Sequence, residues 1–383
     1  MPQTTAIFNA KLILEDEVVE DKILLYSDKI IDILDDLILS DSDDIELIDA
    51  KGQYVSAGFI DLHIHGSGGV DVMDATPEAL DTLCAILPQT GTTSFLATTM
   101  TMSPSAIDKA LHNIQTHAYH VEGAEILGVH LEGPFINTNK HGAQDKAYIQ
   151  TANMNLIEPY IDTIKMITLA PEISKNEAFI KEIHKKYPHI ILSIGHSDAT
   201  YEQSLESFKW GISHATHLFN AMNPYHHRSP GIVGAVFDSD VTCDVIADLI
   251  HTHPSTLELI QKIKKDKLIL ITDAMRGGCM LCGSYDLGGR KVEVFEGKAT
   301  LEDGTLAGSV LQMNEALANM QKYTSMPFVE ILNSVTKAPA QKLGIKKGQL
   351  KAGYDADIVI FDKDFKIDTT IVAGKSKYKS FNY

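Results

Sequence analysis

Histidines and carboxylates recur at the points where short apolar runs end along the chain. The set comprises His63, His65, Glu132, His196, His217 and Asp273. Each buried polar group needs a partner, so a hydrophobic core would not gather this set by accident. The pattern predicts that these side chains share one metal site.

His63 and His65 are separated by a single residue. Residues two apart on a strand point to the same face, so both imidazoles can bind one ion. The pair alone is weak evidence in a chain with 16 histidines, because a buried histidine is more often hydrogen-bonded than metal-bound. Its place among further candidate ligands favours a metal.

Imidazole and carboxylate ligands without cysteine favour zinc, with iron or manganese as alternatives. An ion in an open site lowers the pKa of bound water and supplies hydroxide near neutral pH, which predicts hydrolysis. Asp273 is then a candidate catalytic base. The alternative for Asp273 is a structural carboxylate or a helix cap.

Eight apolar runs separated by helical patterns carry these residues. They span 58–65, 93–99, 126–132, 164–172, 189–197, 212–219, 242–251 and 268–275. This alternation predicts a (β/α)8 TIM-like barrel, whose active sites lie at the C-terminal ends of the strands. A doubly wound open sheet is the alternative, but the Gly-rich dinucleotide turn is absent and polar residues end nearly every run.

Both termini differ from the central region. Residues 1–57 read as small antiparallel strands broken by turns, residues 347–383 read as strands and turns, and neither piece can bury a core alone. We expect them to form one small β-sandwich domain beside a catalytic barrel of residues 58–346. A third β-like piece, residues 283–308, reads as one or two hairpins.

Charge and composition narrow the class of protein. The 383 residues include 44% hydrophobic residues, enough for a large core, and the net charge is -18. That charge repels nucleic acid and anionic membranes, so we expect neither as a partner. No run reaches the roughly 18 apolar residues of a membrane span, and four cysteines are too few for a secreted disulfide framework. We therefore expect a cytoplasmic protein. Cys279 and Cys282 lie three residues apart, and we interpret them as an incidental pair rather than half a zinc site or a redox pair.

Several segments also resemble one known family. These are GFIDLHIHG, GVHLEGPFIN, TLAPE, GHSDAT, ATHLFNAM, HHRSPG, LITDAM and DGTLAGS. In this order they resemble the N-acetylglucosamine-6-phosphate deacetylases of the amidohydrolase superfamily along nearly the whole chain. The resemblance implies an amidohydrolase-type barrel, usually a homodimer, that releases acetate and D-glucosamine 6-phosphate in amino-sugar catabolism.

The resemblance also implies roles for the candidate residues. Glu132, His196 and His217 match the principal metal ligands, and Asp273 matches the acid/base. His63 and His65 resemble the members able to hold a second divalent ion, so one or two ions per subunit are expected.

The resemblance also implies which residues contact the substrate. The matching positions are Asn220, Ala221, Arg228, His251, Leu306, Ala307 and Gly308, with Ala143 and Gln144 added in the loop after Glu132. Gln144 stands where some members have a histidine. Arg228 is one of only three arginines, and a guanidinium can grip phosphate through two hydrogen bonds. In the family such an arginine can serve the neighbouring subunit.

Three other functions remain open from the sequence. An N-acetylgalactosamine-6-phosphate deacetylase differs only in the configuration of one hydroxyl group of its substrate. Another amidohydrolase would share the scaffold. A non-catalytic sugar-phosphate sensor would keep the pocket, although the presence of Asp273 with the full ligand set argues against it.

Overall fold

Strands and helices alternate along most of the chain in the computed structural model, which describes residues 3–35 and 45–380. The strands are β1 (Thr4–Ile13), β2 (Val18–Tyr26), β3 (Ile30–Leu34), β4 (Ile45–Asp49), β5 (Tyr54–Ala57), β6 (Phe59–Ile64), β7 (Gly66–Ser67), β8 (Val70–Asp71), β9 (Thr92–Thr99), β10 (Glu125–Glu132), β11 (Ile164–Leu169), β12 (Ile191–Ile194), β13 (Ile212–Ala215), β14 (Thr242–Ile246), β15 (Leu268–Ile271), β16 (Gly283–Leu287), β17 (Arg290–Phe295), β18 (Lys298–Leu301), β19 (Ile358–Phe361), β20 (Ile367–Val372) and β21 (Lys375–Lys379). The α-helices are α1 (Pro77–Ile86), α2 (Pro104–His117), α3 (Met154–Ile157), α4 (Asn176–Lys186), α5 (Tyr201–Trp210), α6 (Gly231–Phe237), α7 (Pro254–Lys264), α8 (Met313–Tyr323), α9 (Phe328–Asn333) and α10 (Lys337–Leu343).

Eight parallel strands form the central barrel. Their order is β15-β14-β13-β12-β11-β10-β9-β6. The barrel closes just beyond the last strand, where Ile64 bridges Ala274 in parallel and the Asp273 N–H donates to the His63 carbonyl at 2.9 Å. The predicted barrel is confirmed, and each of the eight runs contributes one strand.

Six of the eight barrel strands end earlier than the apolar runs that predicted them. The run at 189–197 contributes only Ile191–Ile194, and His196 beyond it has φ 48°. A left-handed residue leaves the ladder, so the polar end of this run becomes a turn. Turns of this kind carry His196, His217 and Asp273, whereas His63 and Glu132 lie within β6 and β10.

Sequence signals for helix ends account for the boundaries of the surrounding helices. At α5, Thr200 and Gln203 form a capping box and Gly211 ends the helix. Pro77 and Pro104 occupy the first turns of α1 and α2, where the missing N–H costs nothing. Among the described helices, none combines the length and apolar composition needed to cross a bilayer.

Both termini contribute to a second sheet, separate from the barrel. Its order is β21-β20-β19-β5-β1-β2-β3, with β4 on β1. The expectation of antiparallel strands is wrong in part, because β4 and β5 pair with β1 in parallel. Residues 36–44 of the predicted terminal domain, and its extreme ends, lie outside the described residues.

A third, antiparallel sheet of β16, β17 and β18 matches the hairpins predicted for 283–308. Its apolar face, including Leu287 and Val292, packs with Met100, Met275 and Ala307. Since Met275 follows β15 and Met100 follows β9, this sheet lies over the end of the barrel where the strands finish.

Candidate metal centre and active site

Three of the candidate residues occupy left-handed turns directly after barrel strands. The φ angles are 48° at His196, 34° at His217 and 48° at Asp273. Non-glycine residues rarely adopt positive φ, and such strain persists only where surrounding structure enforces it. Buried hydrogen bonds hold each of the three turns.

The turn at His217 is held by a buried carboxylate. Asp244, on β14, accepts a short hydrogen bond from the His217 N–H. Its other oxygen accepts from His214 Nε2 at 2.9 Å, and His214 Nδ1 lies 2.7 Å from Thr242 Oγ1. Asp244 and His214 are fully buried, so this network orients His217 from within the barrel wall.

The turn at His196 is held from the loop after β10. His196 Nδ1 donates to the Lys140 carbonyl at 2.8 Å, and the Asn137 N–H donates to the His196 carbonyl at 2.9 Å. Glu172 accepts from Asn137 Nδ2 at 2.8 Å and from Ser197 Oγ at 2.7 Å. These bonds leave His196 Nε2 free to face the interior.

The turn at Asp273 is held between β6 and the segment 306–309. Ser309 N–H donates to the Asp273 carbonyl at 2.7 Å. Gly308 has φ +61°, and a Cβ there would lie 3.1 Å from that same carbonyl oxygen. Asp61 braces the other side by accepting from the His63 N–H at 3.1 Å and from Thr272 Oγ1 at 2.5 Å.

One ligand group forms around a single carboxylate oxygen. Glu132 Oε1 lies 3.0 Å from His196 Nε2 and 3.1 Å from His217 Nε2. The two nitrogens are themselves 3.1 Å apart. All three residues are buried, so their donor atoms converge on one point.

A second ligand group shares the same carboxylate. His63 Nε2 and His65 Nε2 lie 3.3 Å apart, and they are 3.5 Å and 3.4 Å from the Glu132 carboxylate. Asp273 Oδ1 lies 3.5 Å from His63 Nε2 and 3.4 Å from His65 Nε2. The structure therefore brings together all six residues of the predicted ligand set.

The donor atoms fit a divalent cation. Within each group the ligand atoms all lie within 4.8 Å of one another, and facing imidazole nitrogens need a shared proton or a shared cation between them. His196 Nδ1 and His65 Nδ1 donate to the main-chain carbonyls of Lys140 and Thr98, which leaves each Nε2 with a lone pair for a metal. Nitrogen and oxygen donors without sulfur suit zinc, iron or manganese.

The pKa values of the groups at the centre are set by two opposing effects, burial and nearby opposite charges. Burial opposes ionisation of Glu132, but His63, His196 and His217 hold its pKa well below the usual range. Burial also disfavours charge on the histidines, yet hydrogen bonds to carboxylates raise the pKa of His65 well above its ordinary value and that of His217 to about 9. Without an ion, imidazolium protons supply the positive charge that these carboxylates require.

The pKa of Asp273 also departs from its ordinary value. Burial raises it, but His63 and His65 outweigh burial and lower it to about 2. His63 responds differently, because burial outweighs the nearby carboxylates and lowers its pKa. Asp273 is therefore a carboxylate at neutral pH.

A cavity of about 240 Å³ opens directly above this centre. Glu132, His65, His196, His217 and Asp273 line its floor. Its walls include most of the predicted substrate contacts, namely Ala143, Gln144, Asn220, Ala221, His251, Leu306 and Gly308. A second cavity, of about 410 Å³ beside Leu268 and Lys337, contains none of the predicted residues.

Two predicted contacts lie away from the cavity wall. Arg228 is exposed, and its Nη1 lies 2.7 Å from His227 Nε2. Ala307 is fully buried in the apolar cluster beneath the third sheet. Cys279 and Cys282 hold free thiols, and neither belongs to a possible metal-binding group found among the described residues.

Several residues around the site escaped the sequence reasoning. Met100, Leu287 and Thr305 line the cavity, but nothing in their local sequence marks a residue of the cavity wall. Asp248 binds His251 Nδ1 at 2.6 Å and orients that ring. Asp244 had a usable signal, since it is the one charged residue of the apolar strand TCDVI.

Known proteins share both the sequence and the fold of the chain. The model of the Amidohydrolase family matches residues 54–377. The N-acetylglucosamine-6-phosphate deacetylase of Lysinibacillus sphaericus is 42% identical over 346 residues, covering 88% of this chain and 89% of that protein. That of Bacillus subtilis (strain 168) is 42% identical over 335 residues, 84% of each chain. The crystal structure of N-acetylglucosamine-6-phosphate deacetylase from Pasteurella multocida matches with a TM-score of 0.93 and 32% identity, over 98% of this chain and 100% of that one.

Proposed function

The chain belongs to the amidohydrolase family and, within it, to the N-acetylglucosamine-6-phosphate deacetylases, and on that premise we propose that it hydrolyses N-acetyl-D-glucosamine 6-phosphate to D-glucosamine 6-phosphate and acetate. The observation that carries the proposal is the single cavity that combines the ligand groups on Glu132, the carboxylate of Asp273 and the sugar-binding candidates. Free, scattered cysteines support a cytoplasmic enzyme.

Glu132, His196 and His217 would hold the first ion, and His63 and His65 with the same Glu132 would hold a second. When bound, a divalent cation supplies Lewis acidity that polarises the acetamide carbonyl and lowers the pKa of water. We assign zinc as the native metal, with iron and manganese as the alternatives that the same donor set supports.

Asp273 is the residue that moves the proton. Its carboxylate faces the cavity, and Oδ1 lies between His63 and His65. In the proposed reaction it accepts a proton from the attacking water and then delivers it to the amine nitrogen that leaves. The same group therefore acts as base in the first half of the reaction and as acid in the second.

The substrate's phosphate needs positive charge that the cavity does not provide from lysine or arginine of the described residues. With a net charge of -18, a local cation is required. We assign this role to Arg228 of a second copy in a homodimer, because its guanidinium is exposed and lies outside its own cavity wall. The buried Asn220 Nδ2, which has no partner, supplies a further donor at the wall.

Acetate release tests the reaction. Metal-quantified protein is given N-acetylglucosamine 6-phosphate, its galactosamine epimer and unphosphorylated N-acetylglucosamine in parallel. We expect fast release from the first and poor turnover of the unphosphorylated sugar, because binding of the remote phosphate positions the amide. Faster release from the epimer would move the assignment to an N-acetylgalactosamine-6-phosphate deacetylase, and no release from any sugar would overturn it.

Mixed dimers test the assignment of Arg228. Arg228→Ala and Asp273→Asn each disable the enzyme at low substrate concentration, but a mixed dimer restores one complete site if the arginine serves the neighbouring subunit. That site combines Asp273 of one subunit with Arg228 of the other. Recovery of activity on mixing, with wild-type KM, supports the assignment. Absence of recovery in verified mixed dimers contradicts it.

A further inference from the structure

Gln144 has both ends of its side-chain amide engaged inside the protein. Its Oε1 accepts the Thr101 N–H at 2.5 Å, and its Nε2 donates to Glu132 Oε2 at 2.5 Å. A main-chain N–H requires an acceptor and a carboxylate requires a donor, so the partners fix which amide atom faces which way. The residue is only 3% exposed.

The hydrogen bond from Gln144 gives the two Glu132 oxygens different partners. Oε2 receives the amide N–H, while Oε1 faces His196 and His217. Glu132 is the one residue common to both ligand groups. Rotation of its carboxylate would misalign both groups together, and the amide prevents that rotation.

The loop that carries Gln144 is itself braced. Gln144 N–H donates to the His141 carbonyl at 2.9 Å, His141 Nδ1 donates to the Gln144 carbonyl at 3.0 Å, and Arg290 Nη1 donates to the Ala143 carbonyl at 3.1 Å. The main-chain carbonyl of Lys140, in the same loop, accepts from His196 Nδ1. One rigid loop therefore grips two ligands of one group, Glu132 through Gln144 and His196 through Lys140.

We propose that Gln144 is a positioning residue that locks the Glu132 carboxylate between the two ligand groups. One N–H of its Nε2 is committed to Glu132 Oε2, and that carboxylate is the one that both groups share. Partners that orient a metal ligand typically contribute 10–100-fold to metal affinity. The inference rests on the proposed metal-dependent function, but it concerns metal binding before any sugar is present.

The test measures metal affinity in the absence of sugar. Metal-free wild type and Gln144→Leu are titrated with zinc against a chromophoric chelator. Gln115→Leu, which removes a single exposed bond to the Pro159 carbonyl, is the matched control. We expect Gln144→Leu to bind zinc about 10–100-fold more weakly, whereas the control binds like wild type. At saturating zinc, KM for the sugar phosphate should be unchanged.

The opposite pair of results for zinc affinity and KM overturns the inference. Unchanged zinc affinity with a raised KM would make Gln144 a substrate contact instead. Gln144→Asn, which is too short to bridge Thr101 and Glu132, is measured in the same way and replaces the leucine variant if that variant does not fold. Wild type that fails to bind zinc would overturn the proposed function and this inference together, whereas equal binding by wild type and both variants would overturn the inference alone.

Discussion

Replacing Asp244 with alanine should weaken both the fold and the metal site, although Asp244 does not face the cavity. Its carboxylate accepts the His217 N–H and the His214 Nε2–H. Burial lowers the pKa of His214, so its ring is neutral near pH 7 and donates one proton to Asp244. Alanine would leave two fully buried donors without partners.

The expected cost follows from those two donors. Each unsatisfied buried donor costs about 1–3 kcal/mol, which gives about 2–6 kcal/mol for the pair. Loss of the bond at His217 also releases a turn with φ 34°, and we expect metal affinity to fall by about 10–100-fold. Asp244→Asn keeps one acceptor oxygen, so its effect should be smaller in both measurements.

Urea unfolding of the metal-free protein, followed by circular dichroism, measures the first effect, and chelator competition measures the second. Asp240→Ala is the control, because that carboxylate lies just before the same strand with its side chain 98% exposed. The control should change stability by less than about 0.5 kcal/mol. Asp244→Ala with wild-type stability and wild-type metal affinity would refute the reasoning.

Three further predictions concern other parts of the molecule. Asp273→Asn should keep its metal, by elemental analysis, while kcat falls by at least about 100-fold; wild-type kcat would show that another group moves the proton. Lys347→Met should lower the free energy of unfolding by about 3–5 kcal/mol, because Lys347 Nζ lies 2.7 Å from the buried Asp357 carboxylate. Lys346→Met, at an exposed position, is the control. Equal urea midpoints for wild type and Lys347→Met would contradict this prediction. Burial lowers the pKa of Lys342 to about 8, so above that pH the unfolded chain binds more protons than the folded protein does. Wild type should therefore gain stability relative to Lys342→Met as the pH rises from about 8 towards 10. A difference in unfolding free energy between the two proteins that does not change with pH would refute this prediction.

The sequence predicted the barrel because its signals are local and repeat eight times. Apolar runs, turn residues and caps such as Thr200 with Gln203 each act within a few residues. The parallel pairing of β4 and β5 with β1 could not be predicted in this way, because it depends on long connections that short-range patterns do not encode. The mode of pairing is a tertiary property.

The convergence of the candidate ligands could be anticipated for a similar reason, since parallel strands bring their ends to one place. Hydrogen bonds between residues far apart in the sequence could not be anticipated. The two hydrogen bonds of Gln144 depend on Thr101 and Glu132, which lie 43 and 12 residues away. Leu287 reaches the cavity wall only because a separate sheet folds over the barrel end.

Stepwise metal reconstitution tests whether hydrolysis depends on metal bound at Glu132. Protein stripped of metal is given increasing equivalents of zinc, and acetate release from N-acetylglucosamine 6-phosphate is recorded at each step beside protein-bound zinc. We expect no release without metal and a rise that reaches its plateau as the groups on Glu132 fill. Metal-free protein that releases acetate at the full rate would contradict this expectation.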